Sequence, residues 1–539
     1  MAQEDEDSAE AGPGVRVVGK PLPGHTIVLR LASERFKTQV ERWSAGESAG
    51  AEPSSKRRAT VALPENGDAG GPQAARASSR QPPLLQLRVP LGSEEELPAA
   101  LSVIKFAYTG HIEAGSIEEA LQARQQADYL QMEGCVAACV AAVRGMLVPA
   151  DDSSGDFDRD SDDEGGGGGD GTAGSRAERV LELYSCAPLW PDPEQEPAFA
   201  ALLAEAKPRL VAHFGDALAV LNKQDLFEQM LALPAVGLEA LLESDDFGTD
   251  SESSVVLVLA EWMAENYGST DADTRRQLCG LLRLACCSRG YLEWVLPDLA
   301  LDQHCHPDSQ ADWLPITLEQ ARCVAAYAAA TSDDDRTTLK EVLDAAWSRS
   351  GSGRDNSPPA AWLSSAPRRQ CVPREGLSFS FTRSKDELVE CLGDLGSGEI
   401  EYLYFDVEDA PHAGICVAAM GLHWSPCIRY QQGQSAAGMW LGLKLPWAYH
   451  RPAEPQESPA PLRGADWGLA RPFAQLPAEV YLHRWRGGQK EEARQEQEQQ
   501  QEQGRQQAKQ QRRALVAAQW ADYLNSNMLT GCIKMLRPT

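Results

Sequence analysis

Histidine and cysteine are the side chains best able to hold a metal or attack a substrate, and in this chain they are scattered. His304-Cys305-His306 sets three donors side by side. Consecutive residues point in different directions, so the triplet does not converge on one ion. Cys135 and Cys139 share a helix face at i, i+4, a spacing open to metal binding, yet both also fall in an apolar pattern that predicts core. Cys286-Cys287 lies in an apolar helical stretch and reads as core as well. No two cysteines are spaced Cys-x-x-Cys, the commonest zinc and redox arrangement. We expect no metal and no cofactor, and cysteines that are reduced and buried.

Catalytic signatures are equally sparse. The sequence has no Gly-x-Ser-x-Gly elbow, no Gly-x-x-x-x-Gly-Lys phosphate loop and no dinucleotide fingerprint. Gly165 to Gly169 follows acidic residues, not a strand, and reads as linker. Carboxylates are abundant, but nothing in the sequence singles out a working pair. The expectation is a protein that binds other proteins and carries no catalytic motif.

Charge narrows the partners. Lys plus Arg total 50 against 79 Asp plus Glu, a formal charge of −29. A chain this acidic repels phosphate backbones, which argues against nucleic acid. The basic runs Lys56-Arg57-Arg58 and Arg512-Arg513 are short and read as solvated loop charges. No apolar run approaches the ~20 residues of a membrane span, and Met1 to Glu10 lacks the apolar core of a secretory signal. The expected location is the cytoplasm, the nucleus or both.

The elements that position these residues are readable from periodicity. With 539 residues and 42% apolar composition, the chain has room for roughly three domains. Val15, Val17 and Val18 suggest a first strand, and Leu85, Leu87 and Val89 a second, half-buried one. Phe36, Val40 and Trp43 predict one helix face. Leu97, Leu101, Ile104 and Tyr108 predict another, ended by Gly110. Further helices are expected over about 117–130 and 133–146. The stretch 44–83 reads as an unpatterned insert and 149–176 as an acidic, Gly-rich linker.

Residues 177–348 read as helical throughout, and short connections favour a bundle. Leu203, Leu210, Phe214, Leu218 and Leu221 suggest one helix, and Leu278, Leu281, Leu282 and Ala285 another, closing near Gly290. Thr249 and Glu252 fit a capping box, followed by an apolar stripe of Val255, Val256, Leu259, Trp262 and Met263. Asp245 and Asp246 fall in the preceding turn. After a linker at 349–374, residues 375–539 turn to strand patterns separated by Gly and Pro, which predict an antiparallel β-sandwich. Leu377, Phe379 and Phe381 alternate. Tyr402 and Tyr404 share one face of the next run, with Leu403 and Phe405 on the other. The Gln-rich segment 487–513 favours an exposed helix, and Leu515 to Leu536 a helix and a closing strand.

Three separated motifs resemble a BTB/POZ domain. Pro23-Gly24-His25-Thr26-Ile27-Val28-Leu29 with Ala32-Ser33-Glu34-Arg35-Phe36 is similar to its first helical segment. Leu101 to Gly110 is similar to its Phe-x-Tyr-Thr-Gly helix end. Ala127-Asp128-Tyr129-Leu130-Gln131-Met132, followed by Cys139, is similar to its Ala-Asp-x-Leu-x-Met … Cys pattern. Leu242 to Phe247, Ser251-Glu252 and Trp262 resemble the centre of a BACK domain. Together these cover about residues 15–350. Gly421-Leu422-His423-Trp424 and Leu441 to Leu445 are loosely similar to a MATH or TRAF-type sandwich. The Asp-Val strand that usually opens a BTB domain has no match before Val15, which leaves either no usual dimer edge or an incomplete start.

The resemblance implies an α/β BTB fold over 15–148, an all-α BACK-like domain over 177–348, and a β-sandwich-like domain over 375–539. It further implies an adaptor in a cullin-RING ubiquitin ligase, with the BTB part docking a cullin scaffold and able to form a homodimer, and the last domain binding an unknown protein substrate. The alternative is a scaffold that self-associates through its BTB part, without ligase function. Phe106 and Tyr108 are the positions carried over to the cullin groove, and a core role stays open for both. His25 is expected to fix a bend by bonding backbone groups with its imidazole. Ser33, Phe36 and Asp128 are assigned to the motif's structure, as are Asp245, Asp246, Thr249, Glu252 and Trp262.

Overall fold

The structure is a computed structural model and describes residues 18, 21–50, 87–147, 171–305, 313–350, 358–393, 395–396, 398–408, 410–411, 416–431, 437–449, 476–486, 489–492, 524–525 and 528–537. The chain divides into two compact units, Met1–Ala206 and Lys207–Thr539. Helices dominate the first, and helices followed by antiparallel sheets make up the second.

The first unit contains α1 (Thr26–Ala32), α2 (Glu34–Gly50), α3 (Leu97–Thr109), α4 (Ile117–Tyr129), α5 (Cys135–Leu147), α6 (Gly171–Ser185) and the start of α7 (Pro197–Phe214). Its core gathers Leu29, Phe36, Val103, Ala123, Ala127, Leu130, Met132, Cys135 and Cys139. Phe36 and Val40 are buried, as their spacing predicts. Helix α4 is started by Ser116, whose side chain accepts from the Glu119 amide. Burying a thiol beside a second one pushes Cys135 up, through its hydrogen bond with Cys139 and desolvation.

The expected strand layer does not form among the described residues of this unit. Residues 87–90 belong to no strand, and the one β contact described in this unit is an isolated bridge between Ser33 and Met132. A ladder needs a partner, and the first strand at Val15–Val17 lies outside the described residues; Val18 is in no strand. Leu87 and Val89 still pack on the core as half-buried side chains. Helix α2 also runs on to Gly50, through the start of the region read as an insert, and α6 begins inside the stretch read as linker.

In the second unit, α7 stops at Phe214 and α8 (Ala217–Asn222) begins after Gly215 at φ 70°, so the single helix expected here is two. Gly215 takes the left-handed turn cheaply, and Asp216 caps α8 by accepting from the Ala219 amide at 2.8 Å. Next come α9 (Gln224–Leu231), α10 (Ala235–Glu243), α11 (Glu252–Asn266) and α12 (Ala272–Gly280). Helix α12 starts earlier than its leucines suggest, because Asp271 caps it, and it ends at Gly280, before Leu281 and Leu282. A π-helical turn at Tyr291–Val295 leads into α13 (Leu296–Cys305), followed by α14 (Leu318–Ala329) and α15 (Asp333–Ser350). A capping box of Thr317 and Gln320 opens α14.

Helix α11 is the axis of this unit. Its predicted stripe is buried, but so are Leu257, Val258 and Ala260 on its other sides. A helix apolar all round must be enclosed, and here helices cover one side and strands the other. The Trp262 indole donates to the Leu233 carbonyl at 2.8 Å, locking α11 to the end of α9.

The strands are β1 (Leu377–Ser384), then β2 (Ile400–Tyr404) after helix α16 (Lys385–Gly393), β3 (Asp406–Val407), β4 (Val417–Ala419), β5 (Leu422–Gln431), β6 (Gly438–Lys444), β7 (Ala478–Arg486), β8 (Gln489–Glu492), β9 (Leu524–Asn525) and β10 (Met528–Met535). They form two antiparallel sheets. One runs β3-β1-β10-β7-β8, with β9 on β10; the other has β2 and β4 on one edge of β5 and β6 on the opposite edge. Gln489–Glu492, expected to be helical, is strand because it pairs with His483–Arg486. The rest of the Gln-rich segment, and the helix expected after Leu515, lie outside the described residues.

The β4–β5 hairpin is seated on the helices. Its turn, Met420 at φ 54° and Gly421 at φ 74°, brings the backbone against the start of α11. Asp250 accepts from the Met420 amide at 2.7 Å, and the Ser254 hydroxyl accepts from the Gly421 amide at 3.1 Å. Asn222 at the end of α8 donates to the Ala418 carbonyl at 2.8 Å and accepts from its amide at 2.7 Å. A Cβ at Gly421 would stand 2.5 Å from the Ser253 carbonyl oxygen, so only glycine fits.

Residues 358–372, between helices and strands, are packed. Trp362 is buried, donates to the Cys279 carbonyl at 2.9 Å, and meets Trp347 edge-on. The segment then runs beside Thr249, whose amide donates to the Arg369 carbonyl at 2.9 Å while its carbonyl accepts from the Cys371 amide at 3.0 Å.

Candidate partner-docking surface

The sequence-selected residues at the N-terminal end fall around α1 and α3. Helix α1 presents its apolar side chains in two directions. Leu29 turns into the core, while Ile27 and Leu31, each two residues away and so on the opposite side, are 70% and 76% exposed. The preceding Leu22 is 59% exposed.

In α3 the buried face is Ala99, Ala100 and Val103. The predicted stripe splits: Ile104 packs half-buried against the core cluster, while Leu101 and Tyr108 are 38% and 44% exposed. They stand seven residues apart, two turns along one side of the helix. Small residues let α3 approach its neighbours closely, with Leu101 and Tyr108 left at the surface. Phe106 divides from Tyr108 here, packing half-buried against the core cluster.

Tyr108 is fixed in place. Its hydroxyl accepts from the His25 amide at 2.8 Å, and its ring meets the His25 ring edge-on at 5.9 Å. His25 is the N-cap residue of α1, yet its imidazole makes no capping hydrogen bond; its main chain and ring face do the positioning. Ser33 sits in extended conformation between α1 and α2. It donates to the Leu130 carbonyl at 2.5 Å and accepts from the Phe36 amide at 3.1 Å, tying the α1–α2 joint to the end of α4. Asp128 is exposed near that joint. Arg35 lies 3.9 Å over the Tyr129 ring and donates to its hydroxyl at 2.6 Å, leaving Tyr129 40% exposed.

Arg30 of α1 pairs with Glu41 of α2 at 3.4 Å, and Lys105 of α3 with Glu113 in the loop that follows it. The surface therefore offers exposed apolar side chains among paired charges. Among the described residues no three His, Cys, Asp or Glu side chains cluster as metal ligands, and no helix there is long and apolar enough to cross a membrane.

The residues selected near position 250 form a different centre. Helix α11 begins at Glu252 with Ser251 as its cap, so the expected capping box does not form. Thr249 instead donates to the Ser251 carbonyl at 2.6 Å. Glu252 is turned inward to Arg368, whose Nε donates to it at 3.0 Å, and it also accepts from the Arg283 amide at 2.9 Å. Arg368 donates besides to the carbonyls of Ser244 and Leu242, at 2.7 and 2.6 Å. Both side chains are buried, 0% and 1% exposed. Asp245 is exposed and pairs with Arg283, whose hydrogen bond holds its carboxyl below the usual range. The Asp246 carbonyl accepts from Arg369. This is a fold-holding network; Arg368 was missed in the sequence because it lies 116 residues from its partner.

No family model matches the chain, and no curated protein and no solved structure is significantly similar to it.

Proposed function

We propose that this chain is a protein-binding adaptor, the substrate-recognition subunit of a cullin-RING ubiquitin ligase working in the cytoplasm or nucleus. In this reading the first unit is a BTB-type module that docks a cullin helix, and the strand-bearing part of the second unit captures substrate. The observation that carries it is the outward-facing Tyr108, hydrogen-bonded through its hydroxyl to the His25 amide, with Leu101 on its own helix and Ile27 and Leu31 on the adjacent one. Exposed aromatic and aliphatic side chains held by a rigid helix pair are what hot spots are made of.

The test is binding of the full chain to a purified cullin N-terminal domain by calorimetry. Leu31→Arg should weaken binding by about tenfold or more with the melting temperature little changed, because Leu31 is 76% exposed. Tyr108→Ala should weaken it similarly but also lower the melting temperature, because the His25 amide loses its partner. Absence of binding by the folded protein refutes the ligase reading and leaves a self-associating scaffold. Binding untouched by either substitution removes α1 and α3 from the interface.

A further inference from the structure

The period of two in β2 separates its side chains cleanly. Leu403 is buried, whereas Ile400, Tyr402 and Tyr404 are 41%, 50% and 40% exposed in one row. Strand β2 pairs with β5 on one edge and with no other strand among the described residues. The register sets Gln431 opposite Ile400, Arg429 opposite Tyr402 and Cys427 opposite Tyr404. Across β5, Gly438 stands opposite Arg429, Gly442 opposite Ser425 and Lys444 opposite His423.

Directly opposed residues share a face, so the aromatic row and both cations belong to one surface. The Lys444 ammonium lies 4.6 Å over the Tyr404 ring, joining third strand to first. Gly442 keeps the surface low beside that ring; a Cβ there would sit 3.8 Å from it.

Charge sets this face apart. In a chain with 79 acidic residues and a net charge of −29, none of the strand positions sharing this face is Asp or Glu. Arg429 and Lys444 form no ion pair among the described residues, and both are only partly buried. Among the described residues, the two cations set into this exposed tyrosine row have no acidic partner at ion-pair distance.

We propose that this face captures an extended, carboxylate-bearing segment of a partner protein. Apolar side chains of the segment pack on Ile400, Tyr402 and Tyr404, and its carboxylates meet Arg429 and Lys444. The five residues of β2 span about 17 Å and match a segment of similar length. Two cations are too few to hold a polyphosphate chain against the overall charge, which selects acidic peptide over nucleic acid. The inference rests on the reading of the second unit as the capture end, and supplies the chemistry of what is captured.

Fluorescence anisotropy of the full chain tests it with three labelled probes: a hexapeptide alternating glutamate with tyrosine, valine and leucine, its lysine counterpart, and an oligouridine. The glutamate peptide should bind alone, and more weakly as salt rises. Tyr402→Ala, and the pair Arg429→Glu with Lys444→Glu, should each lower its affinity by about tenfold. Ile400→Ser serves as a milder probe that leaves the sheet core untouched and should weaken binding less. Equal binding of the lysine peptide, preference for oligouridine, or indifference to charge reversal in a protein of unchanged melting temperature overturns the proposal. So does a dimer in light scattering that Tyr402→Ala dissolves, since the occupant is then a second copy of the chain. Cullin binding measured on Leu31→Arg reports the other unit, so the two readings fail separately.

Discussion

Removing Arg368 should cost the protein more than any single exposed charge. The Arg368→Leu substitution leaves the Glu252 carboxylate buried without its cation and takes donors from the carbonyls of Ser244 and Leu242. Only the Arg283 amide would still serve Glu252. An uncompensated buried charge of this kind costs about 3–5 kcal/mol, against a total stability of about 5–15 kcal/mol. Replacing both partners, Arg368→Leu with Glu252→Leu, removes the orphaned charge. The double variant should therefore lose at least about 2 kcal/mol less than the sum of the singles. Urea unfolding followed by tryptophan fluorescence reads this directly, because Trp262 and Trp362 flank the pair's two segments and are both buried. With a slope of about 1–3 kcal/mol per molar urea, Arg368→Leu should lower the midpoint by about 1 M or more. A fall under about 0.3 M, or strict additivity in the cycle, would show that the pair does not hold the 358–372 segment in place.

Gly421→Ala should lose about 3 kcal/mol or more, from the left-handed backbone and the clash with Ser253. Gly398→Ala, at φ 84° with open space around it, should lose only about 1–2 kcal/mol; equal melting temperatures for the two would refute the seated hairpin. Burial pushes the Cys416 thiol up to about 11, so at pH 8 it is protonated in the native state. Iodoacetamide should then label exposed Cys305 first and Cys416 only after unfolding, which peptide mass spectrometry checks. Because the folded thiol keeps its proton where the unfolded one, with an ordinary value of 9.0, loses it, this group's contribution to stability falls as pH climbs from 9 towards 11. Equal labelling rates in the native protein would contradict that burial.

Period and face were readable wherever large side chains mark them. Phe36 and Val40 are buried as spaced, and Tyr402 and Tyr404 lie opposite Leu403 and Phe405 as alternation requires. Helix α3 shows where this falls short: of the predicted stripe Ile104 packs on the core, but Leu101 and Tyr108 are exposed while Ala99, Ala100 and Val103 are buried. Close approach of helices selects small residues, which a pattern marked by large side chains overlooks. The Thr249–Glu252 spacing satisfies a local motif, but Glu252 answers Arg368 far along the chain, and the cap passes to Ser251. The same blindness hid the segment 358–372, whose Pro, Ser and Ala composition looks like a connector while Trp362 and Arg368 nail it down. On the α1–α3 surface, Tyr108 was legible as a position, but its hydrogen bond to the His25 amide across 83 residues was not.

The hairpin seated on α11 decides where this polypeptide can be cut. A truncation starting after the helices would strip Asn222, Asp250 and Ser254 away from the amides of Ala418, Met420 and Gly421. It would also turn Val417 and Leu422, now buried, towards solvent. Such a fragment would be sticky in its own right, and whatever adhered to it would report the missing helices. Capture experiments therefore need the chain from α8 onward left intact.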